Sequence, residues 1–196
     1  MKSKRILILN GHPGTQSLSR SLAESYRDSA EQAGHEVRLT HLSDMEFDSD
    51  FGGGGYKSTK PLELDLEKLL KDLKWSEHLV MTTPIWWGGF PGKLKGLFDR
   101  ILLPGEAFDT RNQKMGFPTP LLAGRTARVL VTSDTPGWLM SLFYCNALFV
   151  QLRKQIFGFI GIKPVKIKHL KGATRASSKT VESWLQEARA LGTNAA

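Results

Sequence analysis

The chain has 196 residues, 40% hydrophobic and 23% charged, and its 27 Lys and Arg outweigh 19 Asp and Glu to give a formal net charge of +8. That is the composition of an ordinary soluble globular protein; it excludes a repeat or low-complexity architecture, and one domain over 1–196 is expected. The positive balance favours anionic ligands, yet the basic residues are scattered and form no nucleic-acid motif, so no nucleic-acid partner is expected; the lone Cys145 excludes an intrachain disulfide and a cysteine metal cluster and fits a reducing compartment.

The basic start, Met1 to Arg5, is followed by an apolar run that Asn10 and Gly11 stop too early for a signal-peptide core, which points to a cytoplasmic protein. That run, RILIL over 5–9, reads as a strand buried on both faces. Gly11, Pro13 and Gly14 mark a tight loop. Ser17 then stands where it can cap a helix whose Leu18, Leu22, Ala23, Tyr26 and Ala30 recur at helical spacing until Gly34 ends it. A hydroxyl-rich helix N-terminus directly after a strand offers unpaired N–H groups and the positive end of the helix dipole, which suits a phosphate. A plain capped helix accounts for Ser17 alone and leaves His12, Thr15, Gln16 and Ser19 unexplained. Residues 36–42 alternate enough to be a second strand, completing a β-α-β unit that lacks the G-x-G-x-x-G dinucleotide fingerprint.

Residues 44–61, with acidic, glycine and proline punctuation, read as a long loop of the kind that serves as a lid or binding segment, and 62–73 as an amphipathic scaffold helix. The apolar run 79–83, closed by Pro84, is a central strand; Gly88, Gly89, Pro91 and Gly92 turn the chain into a helix over 93–103. Trp86 and Trp87 therefore lie on a loop past the C-terminal end of a central strand, where they are either a platform for a flat aromatic ligand or two core anchors. A polar segment runs to Gly124, and RVLVT at 128–132 is a further strand ending in the turn cluster 133–137. Residues 138–157 read as one predominantly apolar helix; its richly apolar part, 138–152, is shorter than the roughly 20 residues a membrane span requires and is ended by Arg153 and Lys154. A strand over 164–170 and a helix capped by Ser177 or Ser178 and running through Leu191 complete the chain. The alternation predicts an α/β, doubly wound, flavodoxin-like fold: a five-stranded parallel sheet in order 2-1-3-4-5 with helices on both faces. The loops after Leu9, Thr83 and Thr132 then share one sheet edge, at the switch point where such folds hold flavin mononucleotide.

The segments GHPGTQSLS (11–19), LSDMEF (42–47), TPIWWGGFPGKLKGLFDRIL (83–102) and PGEAF (104–108) together resemble the NAD(P)H:quinone oxidoreductase family of flavodoxin-like flavoproteins, which includes DT-diaphorase, modulator-of-drug-activity-type reductases and the oxidoreductase subunit of a potassium-efflux system. The resemblance implies a bound flavin, FMN or FAD. His12, Ser17, Leu18 and Ser19 match its phosphate side, and Pro84, Ile85, Trp86, Trp87 and Gly88 match the loop along its ring. Thr132, Ser133, Asp134 and Thr135 match a third flavin loop that is usually Thr-Thr-Gly-Gly, with both glycines missing here, and Glu106 matches an acidic position near the flavin in the diaphorase branch. The Tyr–His pair of the diaphorases has no match, since Met140 and Asn146 stand there, so no catalytic side chain is assigned. His35, His41, His78 and His169 fall at strand edges or turns and read as surface residues; none has metal-ligand spacing, and no metal is expected.

The activity implied is hydride transfer from NAD(P)H through the flavin to a quinone, nitro or azo compound. The alternative is a flavodoxin-like regulatory or electron-carrier subunit that binds flavin and a protein partner without turnover of its own. A homodimer is expected, because a helix over 138–157 that is apolar around its circumference exceeds what one sheet face covers.

Overall fold

A computed structural model describes residues 3–53, 55 and 59–195 of the chain. Each short apolar run becomes a strand, because a parallel strand covered on both faces has no polar side to present to water. The elements are β1 (Arg5–Asn10), α1 (Leu18–Gln32), β2 (Glu36–His41), α2 (Leu64–Trp75), β3 (His78–Pro84), α3 (Gly92–Ile101), β4 (Phe108–Lys114), β5 (Phe117–Pro120), β6 (Thr126–Ser133), α4 (Gly137–Leu142), α5 (Ala147–Val150), β7 (Val165–Lys171) and α6 (Ser178–Thr193). The main sheet runs β2-β1-β3-β6-β7, parallel throughout, which is the expected order with β6 and β7 as fourth and fifth strands.

Alternation along the strands divides the core between the two faces. Ile6, Ile8 and Val80 meet Ala23, Tyr26 and Ala30 of α1, and Leu130 and Leu170 join Leu22 and Ala188 on the same side, the last from α6. Leu7, Leu9, Leu79, Met81, Val129 and Val131 face the other way, against α2, α3 and the chain from Leu148 to Ile162. Burying each such side chain contributes about 1.5–3 kcal/mol, so this two-sided packing sets where α1 and α3 begin and hence the rim of the sheet.

Two segments differ from the sequence reading. The polar stretch before Gly124 folds into the antiparallel hairpin β4–β5, which pairs with itself rather than with the main sheet. The apolar stretch 138–157 is broken: α4 ends at Leu142, Cys145 and Asn146 take left-handed φ of 50° and 51°, and after α5 the chain widens into a π-type turn over Gln151–Ile156. Neither proline nor glycine marks the break, so composition alone could not reveal it. Packing explains it: Met140, Leu148 and Phe149 are buried, while Leu142, Phe143 and Tyr144 between them are left exposed.

Arg100 anchors the long segment before α2. It is 1% exposed, and its guanidinium donates to the Asp48 and Pro61 carbonyls and to the Glu63 carboxylate at 2.9 and 3.2 Å. A buried guanidinium is tolerated because its N–H fork finds acceptors on several partners. Residues 54 and 56–58 of this loop lie outside the described residues.

The histidines correct the surface reading. His35 and His78 are buried, and His41 and His169 are half-buried. His78 lies at the start of β3 with Nδ1 2.6 Å from Thr126 Oγ1; burial first, then the Arg128, Lys4 and Lys166 cations, push its imidazole down to about 3. A group whose folded value lies below its unfolded value contributes its full stability above about pH 6.5 and loses it as pH falls toward 3, because the unfolded chain binds the proton first. At pH 5 this single residue should cost about 2 kcal/mol. His41 and His169, both held low chiefly by burial, act in the same direction. Melting curves between pH 7.5 and 5 should therefore show a steep loss that His78→Gln flattens; equal slopes in the two proteins would refute this.

Candidate functional site

The loop after β1 is shaped by one buried amide. Asn10, fully buried, accepts the His12 N–H at 3.2 Å and the Thr82 hydroxyl at 3.4 Å through Oδ1, while Gly11 N–H donates to the Thr82 carbonyl at 2.7 Å. A Cβ at Gly11 would stand 2.6 Å from Leu94 Cδ2, so a larger residue where β1 turns against α3 would force the buried Leu94 side chain to shift. His12 Nδ1 accepts the Gly14 N–H at 2.9 Å and lies 3.3 Å from the Gly14 carbonyl. At the start of α1 the Ser17 hydroxyl accepts the Arg20 N–H at 3.1 Å, and the Ser17 carbonyl takes Arg20 and Ser21. The N–H groups of Leu18 and Ser19 have no acceptor among the described residues, and both residues line the cleft beside His12.

After β3, Ile85 N–H continues the sheet to the Thr132 carbonyl at 2.9 Å, and Trp86 and Gly89 exchange both backbone hydrogen bonds, at 3.0 and 2.9 Å. The two residues between them, Trp87 and Gly88, have φ of 51° and 76°. That turn suits glycine but strains a tryptophan by roughly 1–2 kcal/mol, and it throws the Trp87 ring fully into solvent. Trp86 is 43% exposed and meets the His12 ring edge-on at 5.6 Å. Neither tryptophan is a core anchor.

The third loop, after β6, is held by β7. Ser133 Oγ lies 2.7 Å from His169 Nε2 and accepts the Thr135 N–H at 3.2 Å. The Asp134 carboxylate accepts the Thr174 N–H at 2.8 Å and its hydroxyl at 2.6 Å, and these bonds hold its carboxyl below the usual range. Gly172 N–H donates to the Ser133 carbonyl at 2.7 Å. A loop without the expected glycines is thus fixed by side-chain bonds instead.

These elements enclose a cleft of about 310 Å³ that brings together His12, Ser17, Leu18 and Ser19 with Pro84, Ile85 and Trp86 and with Thr132, Ser133 and Asp134. Ile85 also lines a neighbouring cavity of about 530 Å³ with Trp87, Gly88 and Thr135. Glu106 is not brought to this rim. It follows α3, pairs with Lys74 near the end of α2, and so lies by the opposite edge of the sheet, where β3 begins. Sequence reasoning missed Ala173 and Thr174 on the cleft, although Gly172 after β7 is the same turn signal at the same sheet edge. It also missed Tyr144, Ala147 and Leu148 on the second cavity, because they lie where the predicted helix breaks.

Chemically the cleft offers donors at the α1 end and flat apolar surface at the Trp86 end. Two free helix N–H groups with the Ser17 and Ser19 hydroxyls can take a phosphate without any cationic side chain, and the space beyond can take a planar ring. The donor set and the shape both fit a flavin phosphate and ring.

A family profile described as flavodoxin-like fold matches residues 4–191. The chain is 28% identical over 159 residues to the ribosyldihydronicotinamide dehydrogenase-like protein traD of Penicillium crustosum, covering 68% of this chain; it spans only 58% of that relative's length. It is 23% identical over 216 residues to the FMN-dependent NADH:quinone oxidoreductase of Macrococcus caseolyticus (strain JCSC5402), covering 96% of this chain and 98% of the relative. Among solved structures, the NAD(P)H:quinone oxidoreductase from Methanothermobacter marburgensis superposes with a TM-score of 0.81 at 24% identity, covering all of both chains.

Ser17 tests the donor end. Ser17→Asp can still cap α1, so apoprotein melting should hold, but it sets a carboxylate against an incoming phosphate, and FMN affinity should collapse. Ser17→Ala should lose about 1 kcal/mol of stability with the cap. Wild-type FMN affinity in Ser17→Asp, read by fluorescence titration, would end the phosphate assignment.

Proposed function

Because this chain belongs to the flavodoxin-like fold family, we propose that it is a flavin-dependent NAD(P)H oxidoreductase that reduces a quinone or a similarly planar nitro or azo compound. The observation that carries this reading is the cleft that joins the unpartnered Leu18 and Ser19 N–H groups to Trp86 and the third loop. A flavin bound there supplies the hydride chemistry. The residues of this chain bind and orient. Leu18, Ser19 and Ser17 would hold the phosphate, and Pro84, Ile85, Trp86 and Gly88 together with the loop from Thr132 to Thr135 would hold the ring. His12 is held beside Trp86, with its Nδ1 tied to Gly14. Nicotinamide and acceptor take turns in the adjoining cavity, which Met140, Leu148 and Trp87 line with apolar surface. The name of the Macrococcus relative supports FMN and NADH as the first cofactors to test.

The functional unit in this reading is a homodimer. Trp87, Trp138, Leu142, Phe143, Tyr144 and Val150 are all exposed large hydrophobics, and they cluster around the broken helix beside the second cavity. A partner covering them would complete that cavity and remove apolar area that a monomer leaves in water. The free Cys145 on this segment fits a reducing, cytoplasmic setting.

Purified protein supplied with FMN should oxidise NADH or NADPH in the presence of a soluble benzoquinone. Flavin binding without such turnover would favour the carrier reading, and failure to bind either FMN or FAD would overturn both. Separately, Phe143→Glu should shift light scattering from dimer to monomer and depress turnover while FMN affinity stays within about twofold of wild type, since Phe143 is not in the phosphate cleft. A monomeric wild-type protein with full activity would sink the dimer.

A further inference from the structure

The third loop contains a titratable pair that the binding roles above do not use. Ser133 Oγ has two neighbours: the Thr135 N–H, which it accepts at 3.2 Å, and His169 Nε2 at 2.7 Å. In the Nδ1–H tautomer of the neutral ring, the hydroxyl that accepts from Thr135 donates its hydrogen to the Nε2 lone pair. The serine hydrogen then points at β7 and away from the cleft that Ser133 lines. If Nε2 gains a proton it becomes a donor. Ser133 Oγ must then accept from both the ring and Thr135, and its own hydrogen is freed to donate elsewhere.

We propose that Ser133 and His169 form a proton-uptake pair, in which negative charge arriving in the cleft draws a proton onto His169 Nε2 and turns the Ser133 hydroxyl into a donor toward that charge. The inference rests on the flavin reading, since the charge in question is that of the reduced flavin. Two electrons and one proton enter as hydride from the nicotinamide. A second proton comes from water to Nε2, and it leaves with the electrons when the acceptor is reduced. The only bond made or broken in the protein is the Nε2–H bond.

The surroundings of His169 suit such a poise. Burial, then the Lys171 cation on its own strand, hold the imidazole below its ordinary value, so it is neutral at rest near neutral pH. From the helix side it meets Phe149 of α5, edge to face with ring centroids 5.4 Å apart, which carries no charge. From β6 its register partner is the apolar Val131, with Ser133 two residues on. The carboxylate of the same loop, Asp134, is occupied by Thr174 and flanked by Arg175. The described surroundings thus supply no uncommitted carboxylate to charge the ring at rest, and a ligand anion in the cleft is the change that can raise its proton affinity.

The test uses flavin-loaded protein. The midpoint potential is measured from pH 5.5 to 8.5 with dithionite as reductant, alongside NMR titration of histidine-labelled wild type in the apo, oxidised and reduced states. The wild-type potential should fall with pH more steeply than that of His169→Gln by about 30 mV per pH unit over part of this range, the weight of one extra proton in a two-electron couple. The His169 resonance should titrate higher by about one pH unit or more in the reduced than in the oxidised holoprotein. Ser133→Ala should weaken that redox dependence while leaving His169 able to titrate. Failure of the protein to take up flavin overturns the flavin reading and this inference together. Flavin uptake with parallel potential slopes, or with a His169 titration unmoved by reduction, overturns this inference alone; the wild-type NMR arm decides it even if a variant misfolds.

Discussion

The parallel pairing of β1 with β2 on one side and β3 on the other is the constraint from which the site follows. A parallel neighbour can be reached only by a crossover through a helix, and the two crossovers from β1 and β2 leave in opposite directions along the sheet. The chain therefore opens a crevice at the C-terminal ends of β1 and β3, and β6 brings a third loop to the same rim. The register ties these loops together: Asn10 stands beside Thr82, and Pro84 beside Thr132. The bonds from Gly11 to the Thr82 carbonyl and from Ile85 to the Thr132 carbonyl carry that registry one residue past the strand pairs.

A second feature is how little charge the site uses. The chain carries a formal +8, yet the α1 end of the cleft is built from backbone N–H groups and hydroxyls. Arg20, the nearest basic residue of α1, is turned to Glu24 and Asp44 instead. Exposed ion pairs of that kind contribute at most about 1 kcal/mol, whereas donors already aligned at a helix start bind an anion without first ordering long side chains. The same economy appears in the third loop, where hydroxyls, an imidazole and one occupied carboxylate fix a backbone that glycines would otherwise have to shape.

Much of this was legible from residue order. RILIL, LVMTT and RVLVT read as buried strands, and the turn residues behind them place three loops on one edge. Ser17 was legible as a cap because its hydroxyl acts on the N–H of Arg20, only three residues away. The break in the apolar stretch after Gly137 was not legible, since Cys145 and Asn146 adopt left-handed conformations that nothing in their neighbours' chemistry announces. Glu106 shows the opposite failure. It lies in a recognisable segment, but α3 carries it ten residues along the sheet to Lys74 and away from the cleft.

By itself, then, the order of apolar and turn residues determined the layers, the strand order and the edge on which the site lies, because those follow from local periodicity and from the few ways a twisted parallel sheet can be connected. The tertiary structure alone decided the environment of each histidine. His78 and His169 read alike as polar residues at strand ends, but one is sealed beneath the sheet's far edge beside Thr126 and the other is hydrogen-bonded to Ser133 at the cleft. Burial and hydrogen-bond partners are sums over neighbours distant in sequence, Thr126 being 48 residues from His78 and Ser133 36 residues from His169, and no local pattern contains them.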